Sequence, residues 1–213
     1  MYMPEIISNP EVIIEKFDGF EKECIRVLVF DSEYEMCKQA ANHFWANSKP
    51  GVYGAGLGRT ANDKHKPART GLLGQMAFSK LFNEPVDLEY RNGGDQQDNL
   101  IGGLKWDIKC AMINRGKGLI YHTNEWGRRI PIDKDIYVFS YMEEEDRTTS
   151  KASIVFVGGA LRKTILDSPI RRGKGGGRHL NHEVWYSDLT PITKLIAIKQ
   201  QCYDSKTCVT SEG

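Results

Sequence analysis

Hydrophobic and polar positions alternate in several short stretches of this chain and recur at helical spacing in longer ones. The alternation predicts an early hairpin around Asp18-Gly19, formed by residues 12–17 and 25–30. It predicts further strands near residues 86–91, 97–101, 104–111, 118–123, 135–142 and 152–158. Helical spacing predicts a helix that runs to about Asn47, with Asp31 or Ser32 as its N-cap, and further helices over residues 72–82, 160–166 and 190–201. This order is typical of one α/β domain with a central mixed β-sheet flanked by helices.

A glycine pair, Gly102-Gly103, separates two of the alternating runs and predicts the loop of a tight β-hairpin. If these two glycines form the loop, Asp98 lies directly opposite Asp107 in the ladder. Because side chains alternate between the faces of a strand, Asp98, Asp107 and Lys109 then share one face. The other face carries apolar side chains and is predicted to pack on the core: Ile101, Leu104, Trp106, Ile108 and Cys110.

The opposed carboxylates of Asp98 and Asp107 need a compensating charge, since like charges directly across a ladder are destabilising. A divalent cation such as Mg²⁺ supplies that charge and prefers oxygen ligands. Lys109, one side-chain step further, can hold a water, a hydroxide or a phosphate oxygen. The pattern therefore predicts a metal-assisted phosphodiester site. The alternative is a surface turn whose aspartates are solvated and whose lysine forms a weak exposed ion pair.

Asp98 followed by Asp107-Ile108-Lys109 resembles the signature of the PD-(D/E)xK nuclease superfamily. Residues 71–82 look like the helix that precedes the sheet in that fold, and residues 135–139 and 154–159 look like its later strands. Residues 185–192 are similar to the closing segment of many phage-encoded members. The resemblance covers roughly residues 70–192 and implies a restriction-endonuclease-like core.

The resemblance implies a metal-dependent nuclease, with a DNA endonuclease favoured and DNA preferred over RNA as the partner. Asp98, Asp107 and the backbone carbonyl of Ile108 are the expected ligands of Mg²⁺, for which Mn²⁺ can substitute. Lys109 is expected to orient or activate the attacking water, or to stabilise charge on the phosphate. Many restriction-type members act as dimers, so a homodimer is compatible with this assignment.

Gln75 departs from the family pattern, because many members carry a glutamate at the corresponding place on the helix. Glutamine can still hydrogen-bond a water in the site but adds no negative charge. The site is therefore expected to bind its metal more weakly. Asp95 and Glu89 are alternative carboxylates near the hairpin.

The net charge of the chain is +1, but its cations are unevenly distributed. Residues 162–178 carry six cations against Asp167, and residues 112–134 carry five against Glu125 and Asp133. Such stretches are candidate contacts for nucleic-acid phosphates. The predicted contacts are Arg69, Arg115, Lys117, Arg128, Arg129, Arg171, Arg172, Lys174 and Arg178. The acidic run at residues 143–146 is instead expected at a solvated hairpin tip.

With 213 residues, of which 40% are hydrophobic, the chain is long enough for one well-packed domain. We expect a single nuclease-like domain over residues 1–203 and a flexible tail over residues 204–213. The five cysteines are scattered without a Cys-x-x-Cys pair, which favours reduced thiols and a cytoplasmic protein, in the host cytoplasm if it is phage-encoded. No stretch approaches the length of an apolar membrane span, so no membrane partner is expected.

Two other functions are compatible with this sequence. One is a non-catalytic nucleic-acid-binding domain on the same fold, for which the best support is Gln75 in place of glutamate. The other is a phage-type protein-interaction inhibitor in which the hairpin is only structural. The first needs no metal, and the second predicts no salt-dependent affinity for DNA.

Overall fold

In a computed structural model, the described residues are 2–5, 7, 10–47, 65–88, 99–114, 116–123, 127–172 and 180–209. Along the chain they form β1 (Glu11–Phe17), β2 (Phe20–Phe30), α1 (Asp31–Asn47), α2 (Lys66–Phe82), β3 (Asn99–Ile101), β4 (Leu104–Ala111), β5 (Lys117–Tyr121), β6 (Ile136–Asp146), β7 (Lys151–Leu161), α3 (Arg162–Asp167), β8 (Ile170–Arg172), β9 (Leu180–Trp185) and α4 (Ile192–Val209). A single 3-10 turn, Tyr186–Asp188, precedes α4.

Six of these strands form a central sheet in the order β1-β2-β7-β6-β4-β3. Strands β4 and β6 run parallel, while the other neighbouring pairs are antiparallel. The sheet is therefore mixed, and the prediction of an α/β fold with a central mixed sheet flanked by helices is confirmed.

Other elements pack on both faces of the central sheet, and a separate apolar core is buried at each face. Helices α1, α2 and α4 pack on one face, where Trp106, Phe78 and Phe156 are buried together. The opposite face packs against α3 and a second sheet of three strands in the order β5-β9-β8. Because β6 and β7 lie in the middle of the sheet and are packed on both faces, almost every residue in their centres is apolar and buried.

The Gly-Gly hairpin has the predicted register as far as the described residues extend. Ile101 pairs with Leu104, and Asn99 pairs with Trp106. Gly102 and Gly103 both have positive φ, 61° and 85°, the backbone that a two-residue hairpin loop of this hand requires. The prediction that the apolar face of β4 packs on the core is confirmed, with Trp106 only 1% exposed.

Several elements differ from their predicted extents. Helix α2 begins at Lys66, with a proline in its first turn, and α4 continues to Val209, into the segment predicted as a flexible tail. Of the strand predicted near residues 86–91, the described part forms only a bridge between Val86 and Tyr2. Strands β8 and β9 were not predicted.

The acidic run does not lie at a hairpin tip, because β6 continues to Asp146. Glu143 accepts hydrogen bonds from Arg26, and Glu145 is buried in an ion pair with Arg69. These cations compensate the charge of the run and allow it to remain in the strand. The expectation of a solvated tip was therefore wrong for these residues. None of the described helices is long and apolar enough to cross a membrane.

Candidate active site

A cavity of about 310 Å³ lies beside strand β4, between helix α2 and the second sheet. It contains four of the predicted site residues: Gln75, Asp107, Ile108 and Lys109. It is lined by Gly71, Gln75, Asn99, Trp106, Asp107, Ile108, Lys109, Ile120, Tyr121, residues 130–134 and Tyr137. The fold thus gathers side chains from both sides of the central sheet around the middle of β4.

The cavity lies beside the part of β4 that follows its described pairing with β3. Strand β3 pairs with β4 only as far as Trp106. Among the described residues, no strand continues along that edge beside Asp107 and the residues after it.

Asp107 and Lys109 project from the same face of β4, and their side chains are paired. Lys109 Nζ lies 2.7 Å from Asp107 Oδ2. The Asp107 side chain is 21% exposed and that of Lys109 is 45% exposed, so both remain accessible from solvent. An anion and a cation that share one accessible wall can bind a group with both electropositive and electronegative atoms, such as a hydrated phosphate.

Gln75 reaches the cavity from α2, because that helix packs unusually close to β4. A Cβ atom added at Gly74 would lie 2.4 Å from Cys110 Cβ, so only glycine allows this approach. Gln75 follows Gly74 in the helix and is half-buried at the cavity wall. A polar group on the helical side of the sheet therefore faces the same space as Asp107.

Tyr137 lies beside Asp107 on the neighbouring strand β6 and forms part of the floor of the cavity. Burial is the main reason why the pKa of Tyr137 is raised to about 12. The Lys134 backbone N–H, which donates to the hydroxyl, opposes this rise, and the charges of Asp107 and Asp133 add to it. The Tyr137 hydroxyl consequently keeps its proton at neutral pH and can donate a hydrogen bond.

The oxygen donors of the cavity are compatible with a hard divalent cation. Asp107 contributes a carboxylate, Ile108 also lines the cavity, and Asp133 adds a second, 55% exposed carboxylate. No three acidic, histidine or cysteine side chains cluster as metal ligands within the described part of the chain. Mg²⁺ nevertheless commonly uses one or two carboxylates and retains several waters, so this smaller donor set is chemically sufficient.

Some predicted site residues lie outside the described residues. These are Asp98, Arg115, Lys174 and Arg178, together with the alternative carboxylates Glu89 and Asp95. Their assignment stays a prediction from the sequence.

The predicted phosphate contacts separate into three groups. Arg128 and Arg129 are exposed and directly precede the residues 130–134 that line the cavity. Lys117, Arg171 and Arg172 lie on the three-stranded sheet. Arg69 is instead 6% exposed and paired with Glu145 inside the fold. The expectation that Arg69 is a surface contact must therefore be corrected, because its guanidinium compensates a buried carboxylate.

Sequence reasoning did not assign Asp133, Lys134, Tyr137 and Tyr121 to the site. Their positions depend on the parallel pairing of β4 with β6 and on the second sheet, neither of which local periodicity specifies. One usable signal was present: residues 133–135 alternate in charge directly before a buried strand.

No protein-family model, curated protein or solved structure matches this chain. The residues around the cavity are consequently the basis for inferring a function.

Proposed function

We propose that this protein is a metal-dependent nuclease, with a DNA endonuclease favoured, and that its central sheet is a restriction-endonuclease-like core. The observation that carries the proposal is the joint placement of Asp107, Lys109 and Gln75 around one solvent-open cavity. Asp107-Ile108-Lys109 is the segment whose sequence resembles the PD-(D/E)xK signature, and Gln75 comes from the helix that the resemblance also assigned to the site.

Each of these side chains has a distinct part in the proposed reaction. Asp107, the carbonyl of Ile108 and Asp98 would hold Mg²⁺, which would lower the pKa of a bound water and stabilise charge on the scissile phosphate. Lys109 would orient the attacking water and stabilise negative charge on the phosphate oxygens. Gln75 would accept or donate a hydrogen bond that positions the same water.

Exposed cations beside the cavity and on the second sheet support a polyanionic substrate. Arg128 and Arg129 are exposed next to the cavity-lining segment, and Arg171 and Arg172 are exposed on β8. Contacts of this kind fix the position of the backbone and make binding salt-dependent without selecting a sequence. The proposed substrate is therefore recognised first through its phosphates.

The test is incubation of the purified protein with supercoiled plasmid, linear duplex, single-stranded DNA and RNA in Mg²⁺, Mn²⁺ or EDTA. Asp107→Ala is compared with Asp167→Ala, which removes an exposed aspartate on α3 outside the cavity. Metal-dependent cleavage that Asp107→Ala abolishes and Asp167→Ala retains is the expected result. Wild-type cleavage by Asp107→Ala would overturn the proposed site.

The fold of Asp107→Ala is checked by thermal unfolding in metal-free buffer. The Asp107–Lys109 pair is partly exposed, so its loss is expected to cost no more than about 1 kcal/mol. A variant that melts far below the wild type in this buffer would assign Asp107 a structural role instead.

The second candidate is a non-catalytic nucleic-acid binder on the same fold. Gln75 favours this candidate, because many members of the PD-(D/E)xK superfamily have a glutamate at the corresponding place and this cavity therefore has one carboxylate fewer. Titration of Mg²⁺ and Mn²⁺ separates the two candidates. Salt-sensitive binding to nucleic acid without metal affinity or cleavage would support the binder, and absence of any salt-dependent affinity would favour the protein-interaction alternative.

A further inference from the structure

The three-stranded sheet has one face turned away from the central sheet, and this outer face carries aromatic and cationic side chains. Gly118 faces the central sheet, since a Cβ atom there would meet the ring of Phe139 at 2.1 Å. Its neighbours on β5 therefore point outward: Lys117, Leu119 and Tyr121. We call this surface the outer face.

Strands β9 and β8 extend the outer face through the register of the sheet. Trp185 pairs with Lys117 and Glu183 pairs with Leu119. Arg171 on β8 pairs with Asn181, which itself pairs with Tyr121. Because paired residues share a face, Tyr121 lies at one end of β5 and Trp185 lies beside the other end. Lys117 is the cation next to Trp185, and Arg171 lies two strands from Tyr121, across Asn181.

The aromatic side chains of the outer face are strongly exposed for a sheet surface. Tyr121 is 59% exposed, Trp185 is 48% exposed and Leu119, between them, is 39% exposed. Large aromatic side chains normally bury much of their area, so an exposed row of this kind indicates a surface that a ligand covers. Flat rings on a sheet are well suited to stacking against other flat rings.

The cations of the outer face are held in place without losing their capacity to bind an anion. Lys117 Nζ lies 2.7 Å from Glu183 Oε1 and 5.2 Å from the centre of the Trp185 ring. Arg171 Nε lies 3.7 Å from Glu183 Oε2. The Glu183 side chain is only 13% exposed, and its carboxylate forms an ion pair with both cations. An ammonium group has three donors and a guanidinium has five, which leaves donors for phosphate oxygens.

The outer face meets the candidate active site at one residue. Tyr121, at the end of β5, also lines the cavity that contains Asp107 and Lys109. A strand that stacks bases along β5 and β9 would therefore reach the cavity at Tyr121.

We infer that the outer face binds an unpaired strand of nucleic acid and leads it into the cavity, so that the substrate is single-stranded at or next to the cut. Bases in a duplex are stacked on one another and cannot reach aromatic side chains on a flat sheet, whereas unpaired bases stack on Tyr, Trp and Phe. The inference rests on the proposed function, because it specifies the substrate of that same site.

Binding in EDTA tests the inference without cleavage. Fluorescence anisotropy compares labelled single-stranded DNA, single-stranded RNA and a duplex of the same sequence, at several salt concentrations. Trp185→Ala and Tyr121→Ala are each expected to weaken single-strand binding about 5-fold to 150-fold, the equivalent of about 1–3 kcal/mol per stacked base. Duplex binding is expected to be weaker in the wild type and nearly unchanged in both variants.

Two controls make the test specific. Val12→Ala removes a similarly exposed apolar side chain, 53% exposed, from the far edge of the central sheet and should bind single strands like the wild type. Trp185→Phe should restore most of the affinity, since a benzyl ring still stacks. The DNA and RNA arms then show which unpaired strand is preferred.

The outcomes separate this inference from the proposed nuclease. Single-strand binding that the aromatic variants lose, without cleavage by the wild type, would support the outer face and contradict the nuclease. Cleavage abolished by Asp107→Ala, with single-strand affinity unchanged in Trp185→Ala and Tyr121→Ala, would support the nuclease and overturn the inference. A preference for duplex would also overturn it.

Discussion

Lys109 Nζ lies 2.7 Å from Asp107 Oδ2, and the two residues are separated by a single position on strand β4. Side chains two residues apart on a strand point the same way, so this pair follows directly from the extended backbone. Both groups are accessible, with side-chain exposures of 45% for Lys109 and 21% for Asp107. A partly exposed ion pair of this kind contributes little to folding stability. Substitution of either residue therefore tests its role in the proposed reaction rather than its role in the fold.

Lys109→Met is expected to lower the cleavage rate about 100-fold to 1000-fold, as loss of a group that stabilises transition-state charge typically does. The melting temperature should change little, because the lysine is 45% exposed. Lys105→Met is the matched control, since Lys105 is exposed on the same face of β4 but outside the cavity. Single-turnover cleavage assays measure both variants, and an equal loss in the two would contradict a specific role for Lys109.

Gln75→Glu is expected to tighten Mn²⁺ binding at least about tenfold, because it adds a negative charge to the wall opposite Asp107. Calorimetric titration of Mn²⁺ into each protein measures the change. Gln39→Glu, on the exposed side of α1, controls for the general effect of one added charge. If the two variants bind Mn²⁺ equally, Gln75 is remote from the metal.

Glu145→Ala is expected to destabilise the fold by about 3–5 kcal/mol, because it leaves the buried Arg69 guanidinium without its counter-charge. Burial raises the pKa of Glu145, but the hydrogen bond and charge of Arg69 outweigh it and hold the pKa below its usual value. Urea unfolding at neutral pH measures the loss. Glu144→Ala, an exposed neighbour, should change stability by less than about 0.5 kcal/mol, and similar losses in both would show that the buried pair is not the cause.

Gly74→Ala is expected to destabilise the protein by about 1–3 kcal/mol, because its Cβ would overlap Cys110 and push α2 away from β4. Gly71→Ala, one turn earlier, meets no atom within 4 Å and should stabilise the helix by up to about 1 kcal/mol. Thermal unfolding distinguishes these opposite signs. Cleavage by Gly74→Ala should also fall, since Gln75 moves with the helix.

His182 is expected to make folding stability depend on pH below its usual pKa of 6.5. Burial lowers its pKa most, and the nearby His122 and Arg129 lower it further, against hydrogen bonds to Ser168 and Ile165. The unfolded chain therefore takes up a proton at higher pH than the folded one, and stability decreases as the pH falls through 6.5. The ion-paired Glu143 and Glu145 have lowered pKa values, so their contribution is lost only below about 4.5.

Urea unfolding of the wild type and His182→Gln between about pH 7 and pH 5 measures this dependence. The variant should lose much of the slope, whereas His43→Gln, at an exposed position on α1, should keep it. Equal slopes in the wild type and His182→Gln would show that another group titrates in this range.

Local sequence signals were most successful where the backbone itself imposes the structure. The Gly-Gly loop predicted both the bounds of β4 and its register with β3, because two consecutive positive φ angles restrict a hairpin to few geometries. Helical spacing after Asp31 and Ser32 likewise predicted a helix to about Asn47, where α1 ends. These elements depend on contacts between near neighbours in the chain.

By itself the sequence determined the alternation that places Asp107 and Lys109 on one face of β4, since this needs only an extended backbone. Tertiary structure decided the rest of the site. The parallel pairing of β4 with β6 brings Tyr137 beside Asp107, and the second sheet adds Tyr121. Arg69 and Glu145, 76 residues apart, became a buried pair rather than two surface charges. Such contacts join residues distant in the chain, and their energies depend on burial that no local pattern encodes.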